Sequence, residues 1–422
     1  MARHSKLIDA AAAALVLTWP GPANGAPDED ALGKAQGYPF ARLTNGFTLF
    51  DEGHKVGNFT NMEAIFWPRE IAAAPAPRAL TPAREELRIT YPYAGRDYTI
   101  DDLLARQRIA GLLILKGDNI VFERYQYGRT RRDKFASFSM AKTVTGLLVG
   151  IALRDGLIAS LDEPARRHAP GLKGTIYGEV SLRNLLRMSS GAQWSDRAAA
   201  GQPTQIGNLS ADTFFRRGAG GATALREVRE AAAPPGAKFN YSSAETFALA
   251  LALRGAIGTD LATFASERLW KPLGAETAAS WLTDSSGMES AFCCINATLR
   301  DYGRLGLLLA GDGAYAGKAI VPREYLLDAT DASRQPEHLK PRRATPFFGY
   351  GYQTWIYPFT TRTFQARGLF GQELIVQPES GVVIVIASVL ETPNIPAETV
   401  VERNWFVGAV LKALGGKADL YR

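Results

Sequence analysis

The chain has 422 residues, 46% hydrophobic and 21% charged, with a formal charge of +6 and only four histidines. That balance excludes a disordered chain, and the length buries a core without disulfides or a structural metal, as one large domain or a main domain with an insertion. His4, His54, His168 and His338 are scattered, and no Cys-x-x-Cys or His-Glu-x-x-His spacing occurs, so neither a metal site nor a cofactor is expected. Cys293 and Cys294 are neighbours. A trans peptide holds their Cα atoms closer than an ordinary disulfide requires, and two separate buried thiols are expected.

Residues 1–25 have the form of a secretory signal: basic Arg3, His4 and Lys6, a short apolar run from Ala10 to Trp19, and small residues at Ala23-Asn24-Gly25. Asp9, beside the apolar run, departs from that form. No other stretch reaches 18 uncharged apolar residues. The expectation is a periplasmic or secreted protein with no integral membrane segment after signal removal, or a cytoplasmic one if the segment is retained. Residues 26 to about 80 are rich in Gly, Pro and Ala, and Ala72-Ala73-Ala74-Pro75-Ala76-Pro77 reads as an extended linker, with organised structure beginning after it.

Thr99 ahead of Asp101 and Asp102 is the cap of a helix running to about Arg108. Ala110–Leu115 and Ile120–Tyr127 are β-prone runs joined by Lys116-Gly117-Asp118-Asn119, a hairpin signal. Arg129, Arg131, Arg132 and Lys134 form the one basic cluster. Without interleaved aromatics it reads as a solvated loop, and no nucleic-acid partner is expected. From Ser139 to Arg154 a helix apolar on nearly all sides belongs in a core, closed by Asp155-Gly156. Helical periodicity then dominates to about Arg342, with helices expected at 181–188, 243–255, 260–270 and 297–310. Short strands return at 364–366, 373–377 and 382–388, and 404–414 closes the chain as a helix. Strands at both ends around a helical middle imply one antiparallel sheet built from both termini.

The residues that carry chemistry start with Ser139-Met140-Ala141-Lys142. Positions i and i+3 share a helix face, so the Lys142 amine can stand beside the Ser139 hydroxyl. A serine hydroxyl needs such a neighbour, and a desolvated lysine of lowered pKa can take its proton. In Phe239-Asn240-Tyr241-Ser242-Ser243, a tyrosine just ahead of a helix cap can project into a cleft and relay a proton. An α/β-hydrolase reading fails because no Gly-x-Ser-x-Gly elbow is present and the one late histidine, His338, sits in what reads as an exposed loop. Arg300 and Asp301 read as stabilising a helix start.

Taken together, Ser137-Phe138-Ser139-Met140-Ala141-Lys142, Leu185-Leu186-Arg187-Met188-Ser189-Ser190-Gly191, Phe239-Asn240-Tyr241-Ser242-Ser243, Ala297-Thr298-Leu299-Arg300-Asp301-Tyr302-Gly303-Arg304 and Gly371-Gln372 resemble, in this order, serine hydrolases of the penicillin-binding-protein and class C β-lactamase superfamily. The closest resemblance is to its 6-aminohexanoate-dimer hydrolase and carboxylesterase branch. The resemblance implies an α/β fold of the α+β type, β-lactamase/transpeptidase-like, with an antiparallel sheet flanked by helices and an inserted helical domain. It implies a hydrolase domain over 99–412, a helical insertion at about 160–345, an extension at 26–98 and a tail at 413–422. It also implies cleavage of a small-molecule ester or linear amide through an acyl-enzyme, with Ser139 as nucleophile, Lys142 as base and Tyr241 as proton relay. Backbone N–H groups of Ser139 and Leu369 would form the oxyanion hole, and Trp194, Gly368 and Phe370 would line the substrate cleft. The family's Lys-Thr-Gly or His-Thr-Gly motif is replaced by Gly368-Leu369-Phe370-Gly371, which disfavours a β-lactam substrate although Arg367 lies beside it. Trp194 and Asp196 have packing as the competing role. A non-catalytic binder of peptide or cell-wall fragments, or a D-amino-acid peptidase or β-lactamase, is the alternative, and the oligomeric state is not legible.

Overall fold

The computed structural model describes residues 27–41, 49–196, 204–216 and 220–420; the expected signal at 1–25 lies outside them. The organising feature is the apolar strand Ile109–Lys116, whose alternate residues enter two different cores. Leu113 and Leu115 belong to one, while Leu112 and Ile114 belong to the other. A strand buried on both faces reads as a continuous apolar run, which is why the pattern here is not alternating.

In chain order the strands are β1 (Trp67–Ile71), β2 (Thr81–Pro82), β3 (Thr90–Tyr93), β4 (Arg96–Thr99), β5 (Ile109–Lys116), β6 (Asn119–Tyr125), β7 (Lys134–Ala136), β8 (Ala279–Thr283), β9 (Ile295–Thr298), β10 (Ala314–Tyr315), β11 (Lys318–Ala319), β12 (Gly349–Tyr350), β13 (Trp355–Ile356), β14 (Phe364–Gly368), β15 (Gln372–Gln377) and β16 (Val382–Ser388). The main sheet has the order β12-β13-β14-β15-β16-β5-β6-β2, so both ends of the chain build it, as expected. It is antiparallel except where β2 runs parallel to β6.

The principal helices are α1 (Glu52–Thr60), α2 (Met62–Ile65), α3 (Ile100–Arg106), α4 (Met140–Arg154), α5 (Leu182–Leu186), α6 (Gln205–Phe214), α7 (Ser243–Ile257), α8 (Leu299–Ala310) and α9 (Ala397–Ala413). α3 starts at the expected cap, where Thr99 and Asp102 form a reciprocal capping box. α4 is buried from Met140 to Ala152, as its all-round apolar sequence requires. α8 lies on one face of the main sheet, with Leu305 and Leu308 in the first core, while Phe406, Val407, Val410 and Leu411 of α9 fill the second. α9 begins seven residues earlier than the expected 404.

Two readings of the sequence are corrected. The middle of the chain is not wholly helical: β8 and β9 join β1 and β7 in a second sheet of order β1-β8-β9-β7. The stretch before residue 80 is not merely extended either. It holds α1, α2 and β1, and β1 pairs with β8 from Trp67–Thr283 to Ile71–Ala279. Among the described residues no single helix is long and apolar enough to cross a membrane.

Candidate active site

After β7 the chain turns through Ser137, Phe138 and Ser139 into α4. Phe138 adopts a φ of 43°, a left-handed conformation that costs free energy in a non-glycine residue. The surroundings hold it there. The Ser137 amide donates to the Ile295 carbonyl at 2.7 Å, the Ile295 amide returns a bond to Ser137 Oγ at 2.9 Å, and the Cys294 amide donates to the Phe138 carbonyl at 3.2 Å. The Phe138 ring packs against Phe59 of α1 and against Phe370, with centroids 4.8 and 5.6 Å away.

One turn along α4, Lys142 Nζ stands 3.0 Å from Ser139 Oγ and 3.0 Å from the Phe292 carbonyl oxygen. Lys142 is 2% exposed, and among the described residues no carboxylate lies within ion-pair distance of it. Burial pulls its pKa down to about 8, partly opposed by the negative charge of Asp196. A buried amine without a counter-ion is thereby neutral for a useful fraction of the time near neutral pH. Tyr241 stands across from it, its ring 5.0 Å from Lys142 Nζ, and lines the same cavity as Ser139. Burial pushes the Tyr241 pKa upward, so the phenol stays protonated and can donate.

Tyr241 comes from a part of the chain distant from the Ser139–Lys142 turn, and a layer behind the three groups sets their spacing. The Asn240 amide donates to the Met188 carbonyl at 2.9 Å, and its side chain to the Trp194 carbonyl at 2.9 Å. Asp196 accepts from the Ser243 amide and hydroxyl at 3.0 and 2.6 Å, and from the Trp194 indole at 2.6 Å, clamping the start of α7 just after Tyr241. Trp355 stacks on the Tyr241 ring at 5.2 Å. Gln353 ties three helices together: its carbonyl accepts from Thr143 of α4, its amide oxygen from Thr246 of α7, and its amide nitrogen donates to Leu185 and Leu186 of α5. Glu245 lies fully buried beneath this layer, accepting from the Ser190 amide and hydroxyl, and burial pushes its carboxyl up to about 8.

Opposite the α4 turn, β14 ends at Gly368 against Ser137. A Cβ at Gly368 would collide with the Ser137 carbonyl oxygen, so only glycine permits this approach. Leu369 follows. Phe370 takes a φ of 58°, and its amide N–H donates a hydrogen bond to the Pro393 carbonyl oxygen at 2.8 Å. Ser139, Tyr241, Gly368 and Leu369 all line one cavity of about 500 Å³. Trp194 and Phe370, expected at the cleft, do not line it: Trp194 supports Asp196 and Asn240 from behind, and Phe370 packs between Phe50, Phe59 and Phe138.

Two further placements differ from expectation. The Cys293 and Cys294 sulfurs, which also line the cavity, are joined in a disulfide across their own peptide, with Cα atoms 3.7 Å apart. The separate-thiol expectation assumed ordinary backbone, whereas Cys294 is left-handed at φ 73°. His338 is half-buried, 3.3 Å from the hydroxyl of Ser189 and not part of the cavity lining. Gln353, Phe292 and Glu245 carried no sequence signal, because the side chains or backbone they hold at the site, in Lys142, Ser190, Thr143 and Thr246, lie 55 to 210 residues away.

A family model described as Beta-lactamase matches residues 97–405. The chain belongs to the beta-lactamase family. Within that family it is 25% identical over 334 residues to the 6-aminohexanoate-dimer hydrolase of Paenarthrobacter ureafaciens, covering 74% of this chain and 81% of that one. A solved structure from Bacillus anthracis, described as a candidate 6-aminohexanoate-dimer hydrolase, superposes with a TM-score of 0.76 at 24% identity, over 87% of this chain and 97% of the other. A D-stereospecific amidohydrolase from Streptomyces shares the fold at a TM-score of 0.51 and 18% identity, over 70% and 93% of the two chains. The beta-lactamase-like fold expected from the motifs is thus the fold of this chain.

Proposed function

We propose that the protein is a serine hydrolase that cleaves an ester or linear amide bond through an acyl-enzyme. The observation that carries this reading is the buried Lys142 amine, 3.0 Å from Ser139 Oγ with no carboxylate partner among the described residues. In the neutral state Lys142 donates one N–H to the Phe292 carbonyl and accepts the Ser139 proton with its lone pair. Ser139 Oγ then bonds to the substrate carbonyl carbon, and the backbone N–H groups of Ser139 and Leu369 receive the developing oxyanion. Tyr241 gives its proton to the leaving alkoxide or amine as that bond breaks, and Lys142 re-protonates the phenol. Water attacks the acyl-enzyme by the same proton path in reverse.

The names of the relatives support a hydrolase, and that of the Paenarthrobacter protein supports a linear amide as one substrate. β-Lactams are not expected, because Leu369 stands where the family motif places a polar hydroxyl beside a cation. The bridged cysteines favour an oxidising compartment, in line with export. Intact-mass spectrometry after exposure to a fluorophosphonate tests the proposal. One adduct mapped to Ser139 is expected in the native chain and none in Ser139→Ala; no adduct on the folded native chain would leave a binding protein as the reading.

A further inference from the structure

The candidate site already holds the reacting groups; what remains is which substrates its cavity accepts. The lining is dominated by apolar side chains from segments far apart in sequence. Phe66, at the end of α2, packs against Phe214 and Phe215 at the end of α6, with centroids 5.4 and 6.0 Å away. Phe214 in turn meets Phe292 at 6.3 Å, and the Phe292 carbonyl is the acceptor 3.0 Å from Lys142 Nζ. A continuous aromatic wall therefore runs from the cavity mouth to the lysine. Phe66 lies outside the residues matched by the family model, so part of this wall is an addition of the N-terminal extension.

The mouth has the same character. Three of the seven large hydrophobic side chains exposed among the described residues are Phe50 at 49%, Phe215 at 44% and Leu369 at 38%, and all three line this cavity. Exposed apolar groups gathered at one opening mark a surface that an apolar ligand covers.

Charge recognition is the missing component. Only Asp196 and Arg367 are charged among the lining residues. Both already have protein partners: Asp196 accepts from Ser243 and Trp194, while Arg367 lies 4.8 Å over the Phe348 ring with its Nε 3.4 Å from Glu373. A substrate ammonium would give up water here with only the hydrogen-bonded Asp196 to meet it, and a substrate carboxylate would have to share Arg367 with Glu373.

We infer that the preferred substrates are uncharged esters or amides bearing an aryl group, which seats against the Phe66–Phe214–Phe215–Phe292 wall. This rests on the hydrolase reading above. The test compares kcat/KM for ethyl acetate, ethyl 3-phenylpropanoate, 2-phenylethyl acetate and the zwitterionic linear dimer of 6-aminohexanoate. At least one aryl ester should exceed ethyl acetate by tenfold or more and exceed the zwitterion. Phe215→Ala, at an exposed position that spares the fold, and Phe66→Ala should each lower the ratio of that aryl ester to ethyl acetate at least fivefold, with Phe66→Leu recovering part of it. Native protein that takes the fluorophosphonate on Ser139 yet shows no aryl preference, prefers the zwitterion, or keeps its ratio in both alanine variants overturns this inference alone. Native protein that takes no fluorophosphonate overturns the hydrolase reading as well.

Discussion

Two lysines are buried among the described residues, and their partners differ. Lys55 on α1 is 1% exposed and Lys142 on α4 is 2% exposed. Lys55 spends its three protons on Glu52 Oε2 at 2.8 Å, the Leu390 carbonyl at 3.0 Å and the Glu391 carbonyl at 3.1 Å. Its charge is matched and its geometry closed. Lys142 has a hydroxyl and one carbonyl instead, and among the described residues no carboxylate pairs with it. Burial lowers the pKa of both amines, but the Lys55 ammonium keeps an ion pair and two carbonyl acceptors, whereas no carboxylate holds the charge on Lys142. Exposure alone does not distinguish the two lysines; the partners do.

The comparison is sharpened by replacing each lysine with methionine, which keeps much of the volume and removes the charge. Lys142→Met should slow Ser139 labelling by ~10³-fold or more, about 4 kcal/mol of activation free energy, measured by intact mass over time. Its thermal stability should be unchanged or raised, because an unpaired buried amine is gone. Lys55→Met should do the opposite: the folded protein labels within about threefold of the native rate, while denaturant unfolding shows a loss of roughly 2 kcal/mol from the broken pair. Equal effects of the two substitutions on labelling would break the distinction.

Tyr241→Phe comes next. It should cost about 10²-fold, near 3 kcal/mol, on alkyl esters and amides, whose leaving groups need a proton. On a p-nitrophenyl ester, whose leaving group departs as a stable anion, the loss should be much smaller. An equal loss on both classes would show that Tyr241 acts by packing alone.

The smallest expected effect concerns Glu245, the second buried group of altered pKa at the site. Its carboxyl is raised from 4.5 to about 8 in the fold, so the folded state holds a proton that the unfolded state releases. The stability this contributes is full below pH 4.5 and is lost as pH rises toward 8. Lys142 has the opposite sign: its depressed pKa makes the fold gain stability as pH rises from about 8 to 10.5. Glu245→Gln keeps an acceptor for Ser190 and should remove the first slope, leaving it more stable than the native chain at pH 8 by on the order of 1 kcal/mol. Identical pH-stability curves for the two proteins would contradict this account of the buried carboxyl.

The legibility of the sequence follows the range of the interactions. The β5–β6 hairpin, the Thr99 cap and α4 are written in local pattern, and the Ser139–Lys142 pair needs only one helical turn. α1 was hidden because Gly53, Gly57, Asn58 and Asn61 are poor helix formers. Tertiary burial of Val56, Phe59, Met62 and Ile65 supplies what propensity lacks. β8 and β9 were hidden because strands of five and four residues buried throughout show no alternation. Gln353 joins residues 107 to 210 positions away, and nothing local announces it.

The most direct measurement is the rate of fluorophosphonate attachment to Ser139 between pH 6 and 10. The rate should climb with pH as Lys142 loses its proton, reach half its plateau near pH 8, and stand at about a tenth of that plateau at pH 7. Lys142→Met should stay flat and at least ~10³-fold slower throughout. A native rate independent of pH, or a Lys142→Met protein that labels at the native rate, would show that some other group removes the Ser139 proton.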